Sequence, residues 1–152
     1  MAMREPVGPY GATWTETPMA GYSGTPLAKK LGIKPGFRIA VLNGPGDYAQ
    51  LLAPMPDGVT LVARVSNRVD LVHLFAASRK QLDAALRRCR HAIRPAAAIW
   101  VSWPKKSSGV AGDVNGDTVR EIALPMGLVD IKVCAVTDVW SGLKLVIRRE
   151  LR

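Results

Sequence analysis

The chain has 152 residues, 48% of them hydrophobic, which is enough for one domain with a buried core and too few for a second. It has no run of the ~20 apolar residues that span a bilayer, no export leader, and only two cysteines without zinc-ligand spacing. We therefore expect a soluble cytoplasmic protein with no disulfide framework, no metal and no membrane partner. The net charge of +9 favours an anionic small molecule, an acidic protein or nucleic acid as partner.

The first segment, residues 1–22, is rich in proline and glycine and lacks apolar periodicity. It predicts a flexible N-terminal arm ahead of a single α/β domain over residues 23–152. Thr25 and Pro26 predict the N-cap and first position of a short helix. The apolar run 38–42 that follows is typical of a strand covered on both faces.

A glycine-bearing turn follows this first strand, with the sequence Asn43-Gly44-Pro45-Gly46. A brief helix over residues 47–53, capped by Asp47, is expected after it, and Pro54 ends that helix. The runs 59–65 and 70–75 are the next two predicted strands because both are rich in apolar and β-branched residues.

The clearest predicted helix begins after Ser78, a natural N-cap. Its apolar stripe is formed by Leu82, Leu86, Cys89 and Ile93, at helical spacing. A basic ridge on the opposite side consists of Lys80, Arg87 and Arg94. Between Ser78 and Lys106 eight basic residues face one acid, so this region carries most of the excess charge. The alternative is a solvated helix face that only keeps the protein soluble.

The remaining chain predicts a strand over residues 97–103, a loop, and a helix capped by Asp117. Two further strands, 128–136 and 143–149, are joined by residues 137–142 and should form a hairpin. Strands alternating with helices and ending in a hairpin predict a three-layer α/β sandwich with a mostly parallel, Rossmann-like sheet. This order resembles the S-adenosylmethionine-dependent methyltransferases, shortened by about one strand and helix.

Ligands of such sheets bind beyond the carboxyl ends of the strands. The loops expected at that edge offer helix N-termini, cationic side chains and two indole rings, which together suit an anionic ligand. The predicted ligand-binding residues are Asn43, Gly44, Gly46, Ser78, Arg79, Trp103, Lys105, Lys106 and Trp140.

The turn departs from the methyltransferase pattern that the resemblance implies. Leu42 stands where that motif has an acid, and Tyr48 stands at its third glycine. The second strand ends Ala63-Arg64-Val65, without the acid that would hold the ribose hydroxyls, and Pro45 removes a backbone donor. S-adenosylmethionine stays the candidate cofactor, but a purely structural tight turn is favoured.

Other polar candidates have ordinary structural explanations. His73 lies inside an apolar strand, which predicts a hydrogen-bonded core histidine, with no serine or cysteine beside it to form a triad. His91 should be solvated. Trp100 and Trp103 should point to opposite faces of their strand, with at least one in the core.

The chain is also similar to an uncharacterised family of small, mainly actinobacterial proteins, a domain of unknown function. The matching segments are 22–36, 70–75, 100–106 and 139–149. The resemblance implies a cytoplasmic bacterial protein and brings no activity.

Three functions follow from these patterns. The first is a non-catalytic, degenerate methyltransferase-like module that binds an anionic ligand or partner. The second is an active small methyltransferase with an unusual cofactor site. The third is a nucleic-acid-binding protein that uses the basic ridge, although no basic and aromatic interleaving marks a stacking surface.

Overall fold

The computed structural model describes residues 25–152, so the predicted arm over residues 1–22 lies outside the described residues. Its helices are α1 (Leu27–Lys30), α2 (Tyr48–Leu52), α3 (Arg79–Ala92) and α4 (Gly116–Ala123). Its strands are β1 (Arg38–Leu42), β2 (Thr60–Val62), β3 (Leu71–Phe75), β4 (Ala98–Pro104), β5 (Leu128–Ala135) and β6 (Trp140–Ile147). Single 3₁₀ turns lie at Lys106–Ser108, Leu124–Met126 and Arg149–Leu151.

The strands form one six-stranded sheet in the order β2-β1-β3-β4-β6-β5. β1 pairs in parallel with β2 and β3, and β3 pairs in parallel with β4. β6 is antiparallel to both β4 and β5. The mostly parallel sheet with a terminal antiparallel hairpin is therefore confirmed. The carboxyl ends of β1, β2, β3 and β4 lie at one edge, where doubly wound sheets bind ligands.

Alternate residues of each central strand enter two different cores. One core lies under α3 and α4 and contains Val72 and Ile99, while the other lies under α1 and α2 and contains Leu71 and Trp100. The sheet is thus covered on both faces by helices, which gives three layers. Trp100 and Trp103 fall in opposite cores, as predicted, and both are buried.

The second strand is shorter than predicted. Only Thr60–Val62 pairs with β1, and the chain leaves the sheet at Ala63. β2 is an edge strand with one neighbour, so its β-branched residues beyond Val62 have no partner to pair with. The chain then runs to β3 without a helix, which accounts for the missing unit of the methyltransferase topology.

The hairpin turn is also displaced from the predicted residues 137–142. β6 begins at Trp140, and Thr137 closes the turn by accepting hydrogen bonds from the backbone N–H groups of Val139 and Trp140 at 3.0 and 3.1 Å. Gly142 lies inside β6, where an added Cβ would stand 3.2 Å from Cε3 of Trp100. This glycine therefore makes room for an indole ring instead of marking a turn.

Two of the predicted caps are wrong. α1 begins after Pro26, which occupies the N-cap position instead of Thr25. α4 is capped by Asn115, whose side chain accepts from the N–H of Thr118 at 3.0 Å while the Thr118 hydroxyl accepts from the N–H of Asn115 at 3.2 Å. Asp117 lies in the first turn instead. The Ser78 cap is confirmed, because its hydroxyl accepts from a backbone N–H of α3.

The described residues contain no helix long and apolar enough to cross a membrane. Within residues 25–152 no group of three or more histidine, cysteine, aspartate or glutamate side chains could hold a metal ion. The two cysteines are free thiols; Cys89 is buried and Cys134 is half-buried.

Candidate ligand-binding site

The turn after β1 has an unusual backbone conformation and packs closely against the end of the strand. Asn43 has a φ of 59° and is the one non-glycine residue among those described with positive φ. A Cβ at Gly44 would lie 2.6 Å from Cγ1 of Val41, so glycine is required there by packing. No atom of the described residues lies within 4 Å of the corresponding point at Gly46, so the turn is not closely packed there by this part of the chain.

An open cavity of about 570 Å³ lies beside this turn, at the carboxyl ends of β1 and β2 and against α3. We call it the β1–β2 cavity. Apolar side chains from β1, the segment after β2 and α3 form much of its wall, and polar and charged side chains stand among them. Its lining residues are Val41, Leu42, Asn43, Ala63, Arg64, Val65, Ala85 and Arg88.

Of the predicted ligand-binding residues, only Asn43 lines this cavity. Arg64 and Arg88 line it as well, although the sequence pattern predicts neither of them as a ligand-binding residue. The sequence does contain a signal for Arg88: it stands three residues after Ala85, on the same face of α3, and both residues line the cavity.

The N-terminus of α3 already has partners from the chain itself. The Ser78 hydroxyl accepts from the N–H of Gln81 at 3.1 Å, and the N–H of Arg79 donates to the Asp113 carboxylate at 2.7 Å. The Arg79 guanidinium is paired with Glu121 at 2.8 Å. The backbone N–H and one guanidinium nitrogen of Arg79 thus already meet carboxylates of the chain, and an anion site at Ser78 and Arg79 stays a prediction with a weaker basis.

The two indole rings predicted to stack on a ligand are not equally placed. Trp103 is only 9% exposed and packs in the core under α3 and α4, so little of its ring is accessible and its stacking on a ligand stays a prediction. Trp140 is half-buried and meets Phe75 edge-to-face with ring centroids 5.0 Å apart. Lys105 and Lys106 follow β4 on a separate loop and do not line the cavity.

The predicted basic ridge is largely neutralised. Arg87 pairs with Asp83 at 2.9 Å. Arg94 pairs with Asp70 and also donates to the carbonyl of Val69 at 2.8 Å, which ties the end of α3 to the start of β3. Lys80 alone of the three has no ion pair in the described part of the chain. Nucleic-acid binding through this ridge stays a prediction with a weaker basis.

A buried polar network lies between α2 and the sheet. His73 is fully buried; its Nδ1 lies 2.7 Å from the Tyr48 hydroxyl and its Nε2 lies 2.7 Å from the Ser102 hydroxyl. Burial lowers the pKa of His73 to about 3, so the ring is neutral, and burial also raises the pKa of Tyr48. The predicted core histidine is confirmed.

The expectation that no serine stands beside His73 is wrong. Ser102 is 29 residues away in sequence and is brought next to His73 by the parallel register, in which Phe75 pairs with Ser102. Both side chains are fully buried, so a substrate has no access to them. The network positions α2 against β3 and β4 and does not form a nucleophilic triad.

The fold is that of the methyltransferases. The chain is similar to an S-adenosylmethionine-dependent methyltransferase from Aquifex aeolicus, with 14% identity over 80% of this chain and 88% of that one and a TM-score of 0.59. It is similar to an O-methyltransferase from neocarzinostatin biosynthesis, with 13% identity and a TM-score of 0.58 over 74% of this chain and only 49% of that one. It is also similar to magnesium protoporphyrin IX methyltransferase from Synechocystis, with 12% identity over 80% and 74% of the two chains and a TM-score of 0.52.

These likenesses show the fold alone. No protein-family model and no curated protein matches the chain, so membership of the uncharacterised actinobacterial family stays a prediction.

The lining of the β1–β2 cavity does not fit S-adenosylmethionine in the manner of the methyltransferase pattern. Among residues 25–152, no carboxylate lines the cavity to hold the ribose hydroxyls, and its two arginines would repel a cationic ligand such as a sulfonium.

Proposed function

We propose that the protein binds a nucleoside-type ligand in the β1–β2 cavity. The observation that carries this proposal is the cavity itself: it is open, partly apolar and located at the ligand-binding edge of the sheet. Solved neighbours include methyltransferases with S-adenosylmethionine bound, which supports a nucleoside as the class of ligand.

A cavity-filling variant tests the proposal. Ala63 is exposed and lines the cavity, so Ala63→Phe should block it without disturbing the core. We expect isothermal titration to show binding of at least one of adenosine, S-adenosylmethionine and S-adenosylhomocysteine, and Ala63→Phe to abolish it. Ala96→Phe, at an exposed turn away from the cavity, is the matched control. Binding that persists in Ala63→Phe, or no binding of any nucleoside or nucleotide, would overturn the proposal.

Methyl transfer is the activity that the fold neighbours favour over a non-catalytic module. It requires S-adenosylmethionine to bind with micromolar affinity to the chain as it stands. Micromolar binding of S-adenosylmethionine or S-adenosylhomocysteine would therefore support an active methyltransferase, and it would count strongly against the degenerate module.

The non-catalytic module is the second candidate, and the charge of the cavity favours it. Arg64 stands at the end of β2, where the methyltransferase pattern has an acid. If this difference excludes the cofactor, Arg64→Glu should restore affinity for S-adenosylmethionine by supplying a carboxylate for the ribose hydroxyls. Equal affinity in the wild type and Arg64→Glu would show that this residue does not decide cofactor binding.

A further inference from the structure

We infer that the ligand of the β1–β2 cavity is a phosphorylated nucleoside whose phosphate contacts Arg64 and Arg88. The inference rests on the proposed function, that this cavity binds a nucleoside, and it goes further by giving the ligand a charge and assigning the residues that recognise it.

The two arginines of the cavity are distinguished from most others by lacking a partner. Both are exposed, and neither makes an ion pair or side-chain hydrogen bond within residues 25–152. The other three arginines of α3, and Arg94 just beyond its end, are engaged. Arg79, Arg87 and Arg94 pair with carboxylates, and Arg90 donates to the carbonyl of Met126 at 2.9 Å. Arg88 is thus the arginine of this helix whose guanidinium is available, and it is the one that lines the cavity.

The described lining of the cavity also suits an anion. Among residues 25–152 it contains no aspartate or glutamate, and Asn43 adds a neutral amide on its exposed turn. Val41, Leu42, Val65 and Ala85 provide apolar contact surface between the charged groups. An apolar wall beside two cations suits a molecule with a flat ring at one end and a phosphate at the other.

The position of Arg64 points to the same ligand. In dinucleotide-binding sheets the residue near the end of the second strand meets the ribose: an acid there binds a free hydroxyl, and an arginine nearby accommodates a phosphate on it. Arg64 follows β2 directly after Ala63. A guanidinium presents parallel N–H donors to phosphate oxygens, and such charge-assisted bonds are about twice as strong as neutral ones.

Titration with paired probes tests the inference. We expect 2′-AMP, which carries its phosphate on a ribose hydroxyl, to bind the wild type at least about tenfold more tightly than adenosine, and to bind more weakly as salt is added. Arg64→Gln and Arg88→Gln should each weaken nucleotide binding about tenfold or more and leave adenosine binding unchanged. Arg149→Gln, an exposed arginine outside the cavity, and Lys106→Gln, a cation assigned from sequence alone, should change neither.

The outcomes separate the two proposals. The proposed function stands if adenosine or S-adenosylmethionine binds to the wild type and Ala63→Phe abolishes that binding. The inference nevertheless fails if the phosphate adds no affinity, or if the two arginine variants bind the nucleotide as well as the wild type does. If Lys106→Gln weakens nucleotide binding and the arginine variants do not, the phosphate lies elsewhere and the inference fails. If no nucleoside and no nucleotide binds, both fail. Thermal unfolding of each variant checks that it is folded, as expected for exposed side chains without partners.

Discussion

His73 should make the folded state sensitive to mild acid. Its pKa is about 3 in the folded protein, because the ring is fully buried, against 6.5 for an ordinary histidine. Between these values the unfolded chain binds a proton that the folded chain does not, so stability is complete above pH 6.5 and falls with pH. The slope is about 1.4 kcal/mol per pH unit, which gives a loss of about 2–3 kcal/mol by about pH 4.5.

Urea unfolding followed by tryptophan fluorescence at several pH values between these limits measures the effect, because Trp100 and Trp103 are both buried. His73→Gln should be less stable than wild type near neutral pH but should lose much less stability on acidification. His91→Gln, at an exposed histidine, is the control and should keep the wild-type slope. Parallel slopes for wild type and His73→Gln would refute the reasoning, as would an NMR signal of a protonated His73 ring in the folded protein at about pH 5.

Two further predictions concern packing. Tyr48→Phe and Ser102→Ala each leave a buried ring nitrogen of His73 unpaired and should lower the free energy of unfolding by about 1–3 kcal/mol, with coupling in the double variant; Ser107→Ala, exposed, should have little effect. Additive losses, or losses no larger than in the control, would contradict a shared network. Gly44→Ala should lower the free energy of unfolding by about 1–3 kcal/mol, because its Cβ would meet Val41. Gly46→Ala is the control and should leave the free energy of unfolding unchanged. Equal chemical-denaturation midpoints for the two variants would show that the turn is not tightly packed.

The layers and the sheet could be predicted because they depend on periodic burial. Each predicted strand was found, and the α3 stripe of Leu82, Leu86 and Cys89 is fully buried under the sheet. The predicted strand boundaries were wrong where a residue typical of turns is required by packing against another strand. Gly142 resembled a turn residue, but its missing side chain accommodates Trp100 from the neighbouring strand, which sequence alone does not reveal.

The site was harder to predict than the fold, because the sequence shows which residues are cationic but not which carboxylates pair with them in the folded chain. The carboxylate partner of Arg79 is Glu121, which lies 42 residues away in the sequence. The partner of Arg94 is Asp70, which lies 24 residues away. Only the folded chain shows which positive charges are already compensated. The same holds for His73, whose serine partner comes from another strand.

At the end of β2, backbone pairing determines the fold, while an exposed side chain determines which ligand can bind. The sheet fixes where the chain passes at Ala63 and Arg64, because backbone pairing with β1 ends at Val62. It does not fix which side chain stands there, since an exposed residue beyond the last pair contributes little to folding. An acid or an arginine at this point is therefore compatible with one backbone, but the acid favours a free ribose hydroxyl and the arginine favours a phosphate. If the β1–β2 cavity binds a nucleoside as proposed, Arg64 and Arg88 should make it prefer a phosphate over a sulfonium.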